Sequence, residues 1–261
     1  MLNIGVFDSG LGGLTVVSEL MKHLNGVSLY YVADTKNAPY GEKSPKEILA
    51  YSLKITQYLL EKYEIKALVL ACNTATAYAI EHLRTLYPNL IIIGTEPALK
   101  PAIAQSKSGE IGILATPATL EGKKYQTLAK ALCQENDVHI YEQACVGLVE
   151  QIEKGEIHTE KTKKLLEVWL KPFREKNVDT IVLGCTHYPL IAPLIYELMS
   201  KELTLLHTAK AISNHLLSCL NAKGYERRGT FHLTIEATGE IKSTLVEKIL
   251  SQEVTILSID I

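Results

Sequence analysis

The chain has 261 residues, 47% of them hydrophobic, and a formal net charge of -2, so it can bury a large core in one or two α/β domains. This near-neutral charge supplies no basic surface, and we therefore expect neither nucleic acid nor a membrane as partner. Apolar runs such as 67–72 are also far shorter than the roughly 20 residues of a membrane-spanning helix, which leaves a small polar molecule as the favoured partner.

Short apolar runs alternate with amphipathic stretches along the chain. In the first part the pairs are 4–7 with 14–23, 29–32 with 44–61, 67–71 with 75–86, and 90–94 with 98–105; further strands are predicted at 110–114, 138–142 and 180–183. Ser44 and Glu47, with Pro45 at the first helical position, form the pattern of a capping box. The alternation predicts parallel βαβ units whose sheets are covered on both faces.

A weak internal repeat links the two parts of the chain. Residues 67–74 and 180–187 share a strand, a small residue, a cysteine and two polar residues, and 4–9 resembles 111–116 at a similar offset. Ligands of parallel sheets bind at the carboxyl ends of the strands. Two such halves facing each other would place Cys72 and Cys185 across one cleft. We therefore predict an α/β fold of two similar domains, with mainly parallel central sheets flanked by helices and the active site in the interdomain cleft.

Cys72 and Cys185 each follow a predicted strand and precede a predicted helix. Inversion of an amino acid at its α-carbon needs a base on one face and a proton donor on the other. A thiol, whose ordinary pKa is about 8.5, can be tuned for this by a helix N-terminus or a nearby cation. A single free cysteine is more often a small buried residue, but the matched positions favour a function. Cys133, Cys145 and Cys219 lack a matched context and are interpreted as structural.

The five cysteines are odd in number, scattered, and contain no Cys-x-x-Cys, which is typical of reduced thiols rather than a disulfide framework. The N-terminus enters a strand without the basic and long apolar regions of a signal peptide. We therefore expect a cytoplasmic protein.

Asp8 ends the first predicted strand, and the glycine-rich stretch 9–13 follows it. Such a turn exposes backbone N–H groups that suit a carboxylate, but it lacks the spacing of a dinucleotide fingerprint. Asp8 is either a helix N-cap or a partner of Cys72 or of a substrate ammonium group. His187, two residues beyond Cys185, is either a capping or packed histidine or a group that tunes the thiol.

Other polar residues lie near the predicted strand ends. The turn Pro39-Tyr40-Gly41 either merely connects two elements or forms a rim over the substrate. Some short polar side chains are suited to binding the carboxylates of a small diacid, and the alternative is that each is a helix cap. They are Asn73, Thr74, Thr119 and Thr186. Glu150 is a candidate second partner near His187, or else a solvated helix residue.

A metal site is the main chemical competitor, because Cys72, Cys185, His187 and Asp8 are zinc ligand types. The paired close spacings of a structural zinc site are missing, and no lysine stands in a setting that suggests a pyridoxal Schiff base. We therefore expect neither metal nor cofactor.

Taken together in order, these motifs make the chain resemble the glutamate racemase family, within the wider aspartate/glutamate racemase group. The matching stretches cover nearly the whole chain: 7–13, 34–41, 71–75, 94–98, 115–119, 148–150 and 184–190. One departure is His207-Thr208-Ala209, where many members carry Asp-Ser followed by Gly or Ala.

The resemblance implies interconversion of L- and D-glutamate without a cofactor, supplying D-glutamate for peptidoglycan synthesis. It implies that Cys72 acts on the D-enantiomer and Cys185 on the L-enantiomer, with Asp8, His187 and Glu150 assisting. The substrate-binding positions that it implies include Asp8-Ser9, Tyr40-Gly41, Asn73-Thr74 and Thr186-His187. It also implies a homodimer and a first domain completed by the C-terminal segment, here 1–97 plus 211–261, with 98–210 as the second domain.

Three alternatives stay open at this stage. The same thiols could racemize aspartate or a related acid. The chain could be a binding protein that senses an amino acid without turning it over, although binding alone does not require two cysteines. A zinc-dependent hydrolase is the third.

Overall fold

The computed structural model describes residues 1–199 and 202–261 and contains two fully parallel sheets. The strands of the first sheet are β1 (Leu2–Asp8), β2 (Val27–Ala33), β3 (Ala67–Leu70), β4 (Ile91–Ile93), β9 (His232–Ala237) and β10 (Ile256–Ser258). Those of the second are β5 (Glu110–Ala115), β6 (His139–Ala144), β7 (Thr180–Gly184) and β8 (Thr204–Leu206). Their orders are β10-β9-β2-β1-β3-β4 and β6-β5-β7-β8.

Four strands of each sheet follow the same order. β1 lies between β2 and β3, with β4 beyond β3, and β5 lies between β6 and β7, with β8 beyond β7. The predicted α/β fold with two similar parallel sheets is confirmed, and β1 corresponds to β5 as β3 does to β7. The domain boundaries given above stay a prediction.

Helices cover both sheets. They are α1 (Leu14–His23), α2 (Pro45–Tyr63), α3 (Asn73–Leu86), α4 (Leu99–Gln105), α5 (Pro117–Leu120), α6 (Lys123–Glu135), α7 (Leu148–Glu153), α8 (Glu160–Glu175), α9 (Ala192–Leu198), α10 (Ala209–Ala222) and α11 (Ser243–Leu250), with 3₁₀ turns at Tyr40–Glu42 and Tyr188–Ile191. Among the described residues, none of these helices has the length and apolar character needed to span a bilayer.

The start of α2 is the capping box that the sequence predicts. The Ser44 hydroxyl accepts from the Glu47 backbone N–H at 3.3 Å, and the Glu47 carboxylate accepts from the Ser44 N–H at 3.0 Å. Pro45 follows at the first helical position, where its missing N–H costs no hydrogen bond. The cap fixes where the chain turns back from the 39–41 segment into the helix.

The C-terminal segment joins the first sheet through β9, which pairs with β2 from Ser28↔His232 to Ala33↔Ala237. Glu236 of β9 is fully buried, and its carboxylate accepts from the Tyr63 hydroxyl at 2.6 Å and from the Lys62 ammonium at 2.7 Å. The Tyr58 hydroxyl donates to it as well. A buried carboxylate is stable only when it is paired in this way, so this cluster holds β9 against α2.

We expect Tyr63→Phe to lower the free energy of unfolding by about 1–3 kcal/mol, because it removes a hydrogen bond to a buried charged group. Urea denaturation followed by circular dichroism measures this. Tyr87→Phe, at another half-buried tyrosine, is the matched control. Equal stability of the two variants would contradict the role assigned to the Glu236 cluster.

Candidate active site

Cys72 lies between β3 and α3, at the carboxyl edge of the first sheet. It is the N-cap of α3, and its sulfur accepts from the Ala75 N–H at 3.4 Å. Its Sγ lies 3.9 Å from the Ser9 hydroxyl oxygen, and only 6% of the residue is exposed. The thiol thus faces the loop after β1 and the N-terminus of a helix.

Cys185 directly follows β7, at the corresponding edge of the second sheet. It is 8% exposed, and its sulfur lies 3.6 Å from His187 Nδ1. The expected helix does not begin at once: the 3₁₀ turn 188–191 precedes α9, with Pro189 inside it. The polar neighbour of the Cys185 sulfur is therefore a histidine side chain, whereas the Cys72 sulfur contacts a backbone N–H of a helix.

The imidazole of His187 is buried and bonded at both nitrogens. Its Nε2 lies 2.6 Å from Glu153 Oε1, which also accepts from the Leu11 N–H at 2.7 Å. Burial alone would lower the pKa of His187, but the contacts with Cys185 and Glu153 raise it well above its usual value. The ring is therefore an imidazolium near neutral pH, and a cation 3.6 Å from the Cys185 sulfur stabilises negative charge there.

The residue that contacts His187 is Glu153 rather than the predicted Glu150. Both belong to α7, one helical turn apart, and Glu150 lies beside Glu42. Burial raises the pKa of the Glu42 carboxyl, and the neighbouring Glu150 acts in the same direction. The expected contact between Glu150 and His187 is thus corrected in favour of Glu153.

Asp8 is fully buried and bridges the two halves. One carboxylate oxygen accepts from the Gly10 N–H at 2.9 Å, and the other accepts from the Thr186 hydroxyl at 3.0 Å. The N-cap of α1 is Gly13, so Asp8 does not cap that helix. Burial raises the pKa of Asp8, while the nearby His187 charge opposes the rise.

The two cysteines have different electrostatic surroundings. Burial raises the pKa of Cys72 to about 12, and the charges of Asp8 and Cys185 act in the same direction. Cys72 is therefore a neutral thiol near neutral pH, whereas Cys185 lies beside a cation. The two half-sites are unequal although their backbones are related.

Three hydroxyl groups from both halves form a buried cluster. Thr74 Oγ1 lies 3.0 Å from Thr116 Oγ1 and 3.3 Å from Thr119 Oγ1, and the last two are 2.9 Å apart. Thr74 and Thr119 were singled out from the sequence, but Thr116 was not. The internal repeat could have identified Thr116, because Thr116 directly follows β5 just as Ser9 directly follows β1.

The rim segment 39–41 is held by Asp34, a second residue that sequence reasoning passed over. The Tyr40 hydroxyl donates to Asp34 Oδ2 at 2.6 Å, and Thr238 donates to the other oxygen at 2.7 Å. The Tyr40 hydroxyl proton is therefore bonded to Asp34, and the hydroxyl oxygen is left only as an acceptor. Gly41 packs so closely on Thr116 that a β-carbon would contact it at 2.8 Å. Pro39 follows a cis peptide bond.

Both cysteines are buried, and the space beside Cys185 is narrow. A cavity of only about 10 Å³ lies there, lined by Asn73, Cys185, Thr186 and His207 among others. Asn73 is buried, and its Nδ2 has no hydrogen-bond partner among the described residues. A larger cavity of about 490 Å³ lies outside, bordered by Pro39, Glu150 and Glu153. The smaller space holds about one water molecule and is too small for an amino acid.

Two glycines permit the close packing of the two halves at this site. A β-carbon on Gly10 would overlap the Glu153 carboxylate, and one on Gly12 would overlap the His187 ring and the Thr186 hydroxyl. The loop after β1 can therefore contact the second half only with hydrogen at these positions.

Two parallel α/β halves with a thiol-bearing loop from each at one buried cleft define the class of protein, and comparison with known families agrees. The chain belongs to the Asp/Glu/Hydantoin racemase family, whose model matches residues 5–216. It is thus an isomerase of the amino-acid racemase class.

Its relatives within that family are more specific. A glutamate racemase from Sulfurovum sp. (strain NBC37-1) is 55% identical, over 96% of this chain and 95% of the relative. One from Aliarcobacter butzleri (strain RM4018) is 52% identical, over 97% of each. The solved glutamate racemase from Francisella tularensis in complex with D-glutamate is 27% identical with a TM-score of 0.84, covering 100% of this chain and 97% of that one. The resemblance to glutamate racemases is confirmed.

In the substrate-free protein near neutral pH, we expect iodoacetamide to label Cys72 much more slowly than the half-buried Cys133 and Cys219. The thiolate is the reactive form, and a pKa of about 12 reduces its fraction on the order of a hundredfold or more relative to an ordinary thiol. Peptide mass spectrometry at successive times and pH values measures the rates, and the Cys72 rate should rise with pH. Labelling of Cys72 as fast as of Cys133 would contradict both the burial and the raised pKa.

Proposed function

We propose that this chain interconverts L- and D-glutamate without a cofactor, with Cys72 and Cys185 as a two-base pair, and that it supplies D-glutamate for peptidoglycan synthesis. The names of its 55% and 52% identical relatives support glutamate as the substrate. The observation that carries the mechanism is that both buried cysteines follow corresponding strands of the two halves, with Cys185 beside an imidazolium and Cys72 protonated.

The reaction follows from these unequal states. With L-glutamate between the thiols, the Cys185 sulfur takes the α-proton, and the electron pair of the C–H bond stays on the α-carbon. The Cys72 thiol then donates its proton to the opposite face, which yields D-glutamate. The reverse reaction starts with Cys72 as the base and Cys185 as the acid. Each direction needs one charged and one neutral sulfur.

His187 and Glu153 prepare the second half-site. The imidazolium stabilises the Cys185 thiolate, and the Glu153 carboxylate holds the ring in place from the far side. Asp8 has the corresponding position in the first half-site, where its carboxylate lies near Cys72 and can attract the substrate ammonium group. This gives the predicted assisting pair Asp8 and His187 distinct tasks.

The polar residues around the cleft supply hydrogen bonds for two substrate carboxylates. Asn73 Nδ2 is a buried donor without a partner among the described residues, and such a group costs free energy until it is bonded. The hydroxyls of Ser9, Thr74, Thr119 and Thr186 lie at the same strand ends, and Thr116 joins them through the cluster described above. The Pro39–Gly41 segment closes over the substrate by its backbone, since the Tyr40 hydroxyl is bonded to Asp34.

We further propose that the protein is a cytoplasmic homodimer, as its family resemblance implies. A racemase for aspartate is the nearest alternative. Comparison of kcat/KM for glutamate and aspartate under identical conditions separates the two, and we expect glutamate to be preferred.

The two-base mechanism predicts distinct isotope patterns for two variants. In deuterated water, Cys72→Ser should incorporate deuterium into L-glutamate without inversion, because Cys185 still removes and returns a proton on one face. Cys185→Ser should do the same with D-glutamate. Racemization should fall by about 10²–10⁴-fold or more in each, the usual value of a general acid or base. Polarimetry and proton NMR after chelator treatment measure both quantities.

Cys133→Ser is the matched control, because Cys133 is a half-buried cysteine on α6 and should keep near-normal turnover. If either active-site variant racemized at the wild-type rate in both directions, the two-thiol scheme would be wrong. If chelator treatment of the wild-type protein abolished turnover, a metal would be involved.

Glu153→Gln should shift the alkaline limb of the pH profile for L-glutamate to lower pH. The Glu153 carboxylate helps to raise the pKa of His187, so its neutralisation lets the imidazolium lose its proton at lower pH, with a loss of about 10–100-fold in kcat/KM. Steady-state kinetics across pH measure the shift. Glu160→Gln, at an exposed position of α8, is the control. A shift in Glu150→Gln but not in Glu153→Gln would restore the original sequence-based assignment.

A further inference from the structure

A chain of close polar contacts leads from Cys185 in the second half to Asp8 in the first. Cys185 Sγ lies 3.6 Å from His187 Nδ1, that nitrogen lies 3.4 Å from Thr186 Oγ1, and the Thr186 hydroxyl donates to Asp8 Oδ2 at 3.0 Å. Because the hydroxyl hydrogen points to Asp8, its oxygen is left to accept from the Nδ1–H. All four residues are buried.

The last step of the chain leads from Asp8 to Cys72. Asp8 ends β1 and Cys72 follows the neighbouring β3, whose register places Phe7 beside Leu70. The Ala71 N–H donates to the Phe7 carbonyl at 3.0 Å, so the residues after each strand leave the sheet side by side. The hydroxyl oxygen of Ser9, the residue after Asp8, lies 3.9 Å from the Cys72 sulfur, so the chain at Asp8 leads directly to this thiol.

Two-base racemization creates a need for such a connection. After L-glutamate has become D-glutamate, Cys185 carries a proton and Cys72 has lost one. The enzyme can accept another L-glutamate only after that proton has passed from Cys185 to Cys72. Both sulfurs are buried, and the space beside Cys185 has room for about one water molecule, so neither thiol exchanges its proton freely with bulk water.

We propose that the Thr186 hydroxyl is the link through which this proton returns between the half-sites in the substrate-free enzyme, an inference that rests on the proposed two-thiol function. The imidazolium Nδ1–H bond breaks as its proton moves to Thr186 Oγ1, and the hydroxyl proton moves to Asp8 Oδ2. The Asp8 carboxyl then protonates the Cys72 thiolate, and the Cys185 thiol reprotonates Nδ1. One proton has moved from Cys185 to Cys72, and all other groups are as before.

The neighbouring charges suit this transfer. Burial raises the pKa of the Asp8 carboxyl, so it holds a transferred proton more readily than an exposed aspartate does. The Glu153 carboxylate on Nε2 keeps His187 oriented towards Thr186 and Cys185 while the Nδ1 proton is away. Thr186 therefore acts through Asp8 and His187, as a positioning residue, in addition to its predicted contact with the substrate.

The test is the dependence of racemization on total glutamate. When proton return limits turnover, high concentrations of glutamate trap the enzyme in the form that binds the other enantiomer. The exchange of isotope-labelled glutamate between the L- and D-forms at equilibrium then slows. Thr186→Val should shift the onset of this slowing to about tenfold lower concentration, equivalent to ~1.4 kcal/mol on the return barrier. Thr186→Ser retains the hydroxyl and should keep the onset of slowing near the wild-type concentration, whatever its effect on KM. KM, measured separately at low concentration, reports any loss of substrate binding.

Thr186→Ala removes the same hydroxyl and replaces the valine variant if that one does not fold. In the extreme form of the expected result, the hydroxyl-free variant no longer racemizes glutamate but still exchanges deuterium into each enantiomer. An unchanged onset overturns the proposal while the two-thiol function stands. Loss of deuterium exchange as well overturns it, because Thr186 is then needed for binding itself. Wild-type protein without racemization refutes the proposed function.

Discussion

The bond between the Glu153 carboxylate and the His187 ring is the interaction on which the rest of the site depends. The same oxygen accepts from a backbone N–H of the loop after β1, so one half-buried carboxylate joins the two halves and, together with Cys185, raises the pKa of the imidazole. Without it, only the contact with Cys185 would oppose the lowering of the pKa of His187 by burial. The contact between the two halves and the charge beside the Cys185 thiol thus both depend on Glu153.

The two halves have similar sheets, but the side-chain contacts around their cysteines differ. Each half presents a cysteine after the strand next to its central one, yet burial dominates at Cys72 and an adjacent cation at Cys185. If the two thiols act as we propose, this difference gives each sulfur its own part in the reversible reaction, with Cys72 as the neutral thiol of the resting protein.

Much of this architecture was predictable from the sequence, because buried parallel strands are short apolar runs and the capping box at Ser44 depends only on neighbouring residues. The paired cysteines were identified by the repeat around them. Glu153 was not, because α7 follows Gly147 with a φ of 80°, and only the direction in which that short helix leaves the loop decides which of two glutamates one turn apart faces His187. Asp34 was missed for a related reason: its partner Thr238 lies more than two hundred residues away.

The small cavity at Cys185 has a consequence for affinity. If the closed form predominates without substrate, the observed dissociation constant for any ligand of the cleft equals its intrinsic value divided by the open fraction. A compound shaped to the closed cleft would find no room, whereas one that stabilises the open arrangement would gain affinity without touching either sulfur. Substitutions that loosen the contact of Gly10 and Gly12 with the second half would then tighten the binding of substrate while slowing its conversion.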